Sequence, residues 1–339
     1  MSILVAVLVL GLLVVVHEAG HFLAARRAGI RVHEFTIGFG PALYRRRIGE
    51  TMYAVRVIPW GAGVRIAGME PGEVDDPSGF ARQSIRTRAG VIFAGPFMNL
   101  LLAVFLFTFI FAVLGIGRAT LTVAQVLPGG PAAEAGLRPG DRILEVEGRR
   151  VASWDQVVAV VQASPDRPLS FVVERGGARR EVTVTPERSP TDPRLGFVGL
   201  APVVCRERQP LGGALWSGVK ETYRVTVLLV RGAILALTGK VEARLMGPVG
   251  IGQLIGQAAR MGLRELLYLT AVLSANLALF NLVPIPALDG SRLLFLGVEL
   301  VRGRPVDPAR ENLVHLVGFA LLMILFLVIT YMDLVRLGA

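Results

Sequence analysis

Val14-Val15-Val16-His17-Glu18-Ala19-Gly20-His21-Phe22 closes an apolar run, residues 3–16, that contains no charged side chain. The two histidines are spaced by about one helical turn, so a helix here sets both imidazoles on one face as two ligands of one metal ion, with Glu18 beside them. That arrangement suits zinc holding a water. The metal lowers the pKa of that water from ~16 to about 7, and the carboxylate takes the proton during attack on a carbonyl. The setting sharpens the reading. Ionisable groups within a membrane-crossing helix cost roughly 2 to 3 kcal/mol each, so three together ask for a partner, and a metal serves all three. In a soluble helix the same pattern arises by chance, but within an apolar span an unpaired cluster would oppose insertion. The two other histidines, His33 and His315, fall outside the pattern.

Composition agrees with a membrane protein that also has water-facing parts. Of 339 residues 53% are hydrophobic, while 18% are charged, too many for a bundle of spans alone. The net charge of +10 does not imply nucleic acid, because the basic residues flank apolar runs and no nucleic-acid motif is present. A single cysteine, Cys205, excludes an intrachain disulfide and a thiolate zinc cluster, leaving histidine and carboxylate as ligands.

Working outward, residues 1–117 read as the first half of a membrane core, with spans at 1–26 and 89–117. Between them, residues 26–90 carry eleven Arg against six acidic residues, which puts this loop in the cytoplasm and the N-terminus outside. Within it, 33–44 and 51–66 are rich in β-branched and aromatic residues and predict the strands of a hairpin. Gly38 and Gly40 there allow a bend or a close backbone approach. The second span holds Asn99, which should find a polar partner inside the membrane. Residues 118–203 alternate short apolar runs with turns and predict one water-exposed α+β domain of about 80 residues, with a helix near 153–163 capped by Ser153. Residues 204–262 predict an amphipathic, interfacial helix from about 210, followed by a loop-like or re-entrant stretch at 246–252. Residues 263–339 predict the second half of the core, with spans at 263–282 and 313–331. After the third span, Pro284 and Pro286 must break the helix, so Asp289 would sit on irregular backbone at membrane depth, the natural third ligand beside His17 and His21.

These motifs together resemble the site-2 proteases, the intramembrane zinc metalloproteases, in particular their regulator-of-sigma-E-protease-like members. The resemblance rests on H-E-A-G-H in the first span, G-P-F-M-N from Gly95 to Asn99, and N-L-V-P-I-P-A-L-D-G from Asn281 to Gly290. Gly130-Pro131-Ala132-Ala133 and residues 135–144 likewise resemble a PDZ domain. The resemblance implies a polytopic α-helical membrane protein of about four spans, with a membrane-associated β-hairpin and one inserted extracytoplasmic PDZ-like domain. It implies Zn2+ held by His17, His21 and Asp289, Glu18 as general base, and Asn276 and Asn281 holding substrate backbone. Gly38 and Gly40 would belong to a re-entrant β element, with Pro284 and Pro286 suiting a site that holds extended chain. The expected partners are the lipid bilayer and a single-span protein already shortened by another protease, such as an anti-sigma factor, or a signal-peptide remnant. No nucleic acid is expected, and the chain is expected to be a monomer in the bacterial inner membrane with its active site towards the cytoplasm. The sequence departs from the family in having Ser291-Arg292 after Asp289-Gly290, and in leaving room for a single PDZ-like domain. Two rivals remain: a non-catalytic membrane-anchored PDZ adaptor with a structural metal, and a metal transporter, which is disfavoured because the ionisable residues of the spans are confined to one site and form no relay across the others.

Overall fold

A computed structural model describes residues 2–69, 78–190, 192–240 and 246–338. They form two compact units, Met1–Val113 with Pro210–Ala339, and Leu114–Gln209. Among the described residues four helices are long and apolar enough to cross a membrane: Ile3–Arg27, Ile85–Leu114, Leu263–Leu282 and Ala309–Arg336. The protein is thus a polytopic helical membrane protein.

Helix α1 (Ser2–Arg27) is apolar on all sides over its first four turns, as a span must be. It stops at Gly29, whose φ of 73° lets Ile30 donate its N–H to the Ala25 carbonyl at 2.9 Å, a Schellman closure. Strands β1 (Val32–Ile48) and β2 (Thr51–Ile66) follow, the first of them four residues longer at its end than the sequence suggests. They are more than a simple hairpin. Bends at Gly38, Gly40 and Gly61, with φ of 87°, 88° and 87°, fold each strand on itself. Phe35 therefore lies opposite both Tyr53 and Val64, which places residues 62–66 on the outside of the sheet. Phe22 of α1 seats the sheet, its ring centroid 5.3 Å from Phe35 and 5.9 Å from Tyr53. Leu43, Tyr44, Ile48, Val57 and Ile58 stay exposed, the composition of a lipid-facing surface.

Helix α2 (Ile85–Phe109) begins where Ser84 accepts a side-chain cap bond from the Thr87 N–H. Its buried stripe of Ile92, Gly95, Pro96, Asn99, Ala103 and Leu106 follows helical spacing and turns inward.

The second unit is an antiparallel α+β domain. In chain order it has β3 (Ile116–Val126), the single turn α3 (Pro131–Glu134), β4 (Arg142–Val146), β5 (Arg149–Arg150), α4 (Trp154–Gln162), β6 (Leu169–Arg175), β7 (Ala178–Val184), β8 (Glu187–Arg188), β9 (Gly196–Phe197) and β10 (Leu200–Glu207). The sheet runs β10-β3-β4-β6-β7, and α4 closes its core with Trp154, Val157 and Val161 against Ile143, Phe171 and Val173. Ser153 does occupy the position before α4, but its side chain makes no cap bond; Gln156 instead accepts from the Ala152 N–H at 2.7 Å. Asp141 is wholly buried and accepts from the Arg138 N–H at 2.8 Å and from Arg175 Nε at 2.7 Å. Burial pushes this carboxyl's pKa up, but those hydrogen bonds and charges outweigh it and hold the group below the usual carboxylate range.

The membrane unit resumes with α5 (Leu211–Leu237), which buries Ala214, Gly218, Thr222 and Val225 and leaves Trp216 and Tyr223 exposed, an amphipathic helix as its sequence implies. The stretch expected to be loop-like or re-entrant is mostly helical: α6 (Pro248–Met261) starts at Pro248, whose missing N–H costs nothing at a helix start. Helix α7 (Leu263–Leu282) is the third span, followed by α8 (Asp289–Arg302) and the long α9 (Pro308–Gly338). The irregular backbone after α7 covers 283–288. Asp289 itself is the first residue of α8, a correction to its expected place on irregular chain, since the proline break ends soon enough for a new helix to start there.

Candidate metal centre

Helix α1 presents His17 and His21 one turn apart, their rings edge to face at 4.8 Å and both side chains buried. Small residues bring α2 against them. A Cβ on Gly20 would collide with the Ala94 carbonyl, and one on Gly95 would sit on Nε2 of His21, so neither glycine has room for a side chain. From the other side, the break at Val283 to Leu288 turns the chain back sharply enough that a Cβ on Gly290 would strike the Leu282 and Val283 carbonyls. That turn delivers Asp289. Its Oδ2 lies 3.0 Å from His17 Nε2 and 3.3 Å from His21 Nε2, and the two nitrogens are 3.2 Å apart.

These atoms could hold a metal. A tetrahedral zinc centre with bonds of about 2.0–2.1 Å has edges between ligand atoms of about 3.3–3.4 Å, close to this triangle. Asp289 Oδ2 is buried and receives no hydrogen bond of acceptable geometry, so the one atom most in need of a cation lacks any other partner. His21 Nδ1 lies 2.9 Å from the Val91 carbonyl, which can only accept, so the ring proton is on Nδ1 and Nε2 keeps a lone pair. His17 Nδ1 lies 3.4 Å from the side-chain nitrogen of fully buried Asn99, while Asn99 Oδ1 has no partner. Exchanging the amide's two ends, indistinguishable by shape, gives Oδ1 a proton from His17 Nδ1 and frees His17 Nε2 in the same way. Asn99 is held in turn by Ser274 of α7, whose Oγ donates to its backbone carbonyl at 2.7 Å.

Glu18 is half-buried and its carboxylate lies near the backbone of Val64, on residues 62–66 of the β sheet. Those residues pair only with 32–37 among the described residues, so their second edge is open. The remaining residues expected at the site are dispersed. Gly38 and Gly40 shape the sheet at its bends, and a Cβ on Gly38 would strike the Ile58 carbonyl. Pro284 and Pro286 lie in the break before Asp289. Asn281 donates to the Leu277 carbonyl of its own helix at 3.0 Å, and Asn276 is exposed; among the described residues neither bonds to the cluster. Sequence reasoning overlooked the Val91 carbonyl, a backbone atom with no side-chain trace, and His315, which no spacing rule ties to residue 287.

A multi-span helical protein that gathers two histidines of an H-E-x-x-H helix and a distant aspartate inside its membrane unit has the architecture of the intramembrane metalloproteases. The chain belongs to peptidase family M50, whose model matches residues 5–325. It is 33% identical to the zinc metalloprotease RasP of Geobacillus kaustophilus over 98% of this chain and 97% of that one. It is 29% identical to the regulator of sigma-W protease RasP of Bacillus subtilis over 99% of each, and 35% identical to a putative zinc metalloprotease of a Nostoc species over 95% and 93%. Among solved structures, it matches the PDZ domain of an SdrC-like protein from Listeria monocytogenes at 18% identity, covering 26% of this chain and 92% of that one with a TM-score of 0.23. The protein is accordingly an intramembrane zinc metalloendopeptidase of site-2 protease type.

Proposed function

We propose that His17, His21 and Asp289 hold the zinc ion, and that Glu18 is the general base for hydrolysis of peptide bonds in or near the transmembrane segments of shortened single-span proteins. The observation that carries this reading is the orphaned Asp289 oxygen facing two imidazole nitrogens whose far ring atoms are occupied or can be. Bound zinc would supply an acidified water and polarise the scissile carbonyl. Glu18 takes the proton of that water and passes it to the leaving amine. Its neighbour Val64 lies on the open edge of residues 62–66, which suits pairing with an extended segment. A helical substrate must unwind to be cut because its carbonyls are already bonded; Gly38, Gly40, Pro284 and Pro286 shape the two irregular walls that would receive it, and Asn276 and Asn281 would turn to its backbone.

For substrate, the reading favours an anti-sigma factor or signal-peptide remnant; the name of the Bacillus subtilis relative, regulator of sigma-W protease, supports the former. Eleven Arg against six acidic residues in 26–90 support a cytoplasmic position for that loop, hence an extracytoplasmic PDZ-like domain in the bacterial inner membrane. Cleavage of a model transmembrane peptide by the reconstituted protein, with and without chelator, tests the assignment. Activity should vanish with chelator, return with zinc, and be lost in Glu18→Gln while zinc stays bound. Undiminished proteolysis by Glu18→Gln would defeat it. A metal-bearing protein that cleaves nothing would instead point to the adaptor.

A further inference from the structure

Ala287 has φ of +75°, the one non-glycine residue of the described membrane unit in the left-handed region; Glu147 and Asp166 share it in the other unit. Alanine has no polar side chain to compensate the clash between its Cβ and the neighbouring backbone in that conformation. The turn closes with the Leu288 N–H donating to the Ile285 carbonyl at 3.1 Å, which puts Ala287 at the third position where glycine is usual, and α9 adds a second hold from outside. The Ala287 N–H donates to Nδ1 of His315 on α9 at 3.0 Å, across 28 residues of sequence. Because Nδ1 accepts, the ring proton is on Nε2, which is buried without an acceptor, the Glu311 carboxylate lying 3.7 Å away. One turn further along α9, Gly318 lies so close to Pro286 that a Cβ there would overlap the proline ring. Helix α9 therefore touches the break at two successive residues, Pro286 and Ala287, just before Asp289, although most of its surface is exposed.

We propose that His315 is a positioning residue: its hydrogen bond to Ala287 fixes the backbone turn that sets Asp289 against His17 and His21. The inference rests on the reading of Asp289 as a metal ligand. Without the bond, the strain at Ala287 is opposed only by the single Leu288 to Ile285 turn bond, and the turn loosens. The following peptide then rotates, and Leu288 and the start of α8 move with it.

The test compares zinc affinity, measured by competition with a graded chelator on the full-length protein in detergent, across a small set of variants. His315→Leu should bind zinc about 10- to 100-fold more weakly, the usual effect of removing an outer-shell partner, and cleavage should fall in proportion at limiting zinc. His315→Asn, whose Oδ1 can stand where Nδ1 stood, should stay near the wild type. Ala287→Gly in the His315→Leu background should restore most of the affinity, since glycine adopts positive φ without strain. That rescue separates a backbone brace from mere packing of α9. Wild-type affinity in His315→Leu, or a loss that Ala287→Gly leaves unrepaired, overturns the proposal. Should His315→Leu fail to accumulate, recovery of yield in the double variant supports it and continued failure overturns it. Asp289→Ala is the control: if it binds zinc as the wild type does, the metal assignment itself is wrong, whereas its failure beside a normal His315→Leu removes only the brace.

Discussion

Two aspartates, Asp141 wholly buried and Asp289 largely so, have opposite surroundings. Asp141, in the PDZ-like domain, has both oxygens occupied: Oδ1 accepts from Arg175 Nε at 2.7 Å, and Oδ2 accepts from the Arg138 N–H at 2.8 Å and a second Arg175 nitrogen at 2.7 Å. Asp289, in the membrane unit, leaves Oδ2 bare before two imidazoles. A carboxylate whose acceptors are all filled finishes a fold, and one left short within a membrane is held open for a ligand. On the proposed metal assignment, that difference separates a scaffold from a reaction centre more clearly than burial does.

The comparison breaks most visibly by truncating each carboxylate. Asp289→Ala should leave purified protein without zinc and without detectable cleavage, whereas Asp141→Ala should keep its zinc and lose resistance of residues 114–209 to proteolysis. Metal analysis and limited digestion read the two outcomes side by side; zinc lost from both variants would erase the distinction. Next in size, Glu18→Gln should lower kcat about 100- to 10,000-fold, the usual range for a general base, with zinc content unchanged.

A finer contrast concerns Asn99. If its oxygen accepts the His17 ring proton, Asn99→Asp keeps zinc affinity and Asn99→Leu weakens it about 10- to 100-fold. If the amide nitrogen is the partner instead, both variants lose affinity alike.

The smallest effect is one of pH. Arg175 and the Arg138 N–H lower the folded pKa of Asp141 despite its burial, so below about pH 3.9 the unfolded chain takes up a proton that the folded domain refuses. This contribution to stability is complete above that pH and declines as pH falls towards the folded value. Asp141→Asn should flatten that limb of the stability–pH curve, and an unchanged limb would mean another group is responsible.

Much of this was legible in the residues. The spans could be read because lipid demands long uncharged runs, and the bounds expected for the third, 263–282, are those observed. The convergence of His17, His21 and Asp289 could be read because ionisable groups are costly in such runs and prolines 284 and 286 force the chain to turn. What the residues hid depends on tertiary contact. Helix α6 opens with a glycine-rich stretch that has the local composition of a loop, yet it is stabilised by packing Ile255 against Ala6 and Val9 of α1. The double pairing of Phe35 depends on three positive-φ glycines acting together, which no periodicity announces. The ties from His21 to Val91 and from His315 to Ala287 use backbone atoms that every residue has.

Whether His17, His21 and Asp289 share one ion is addressed most directly by X-ray absorption at the zinc edge of the purified protein. One zinc per chain is expected, with two imidazole nitrogens and carboxylate or water oxygen at about 2.0–2.2 Å and no sulfur. A spectrum with fewer than two imidazoles, or one unaltered by Asp289→Ala, would contradict it.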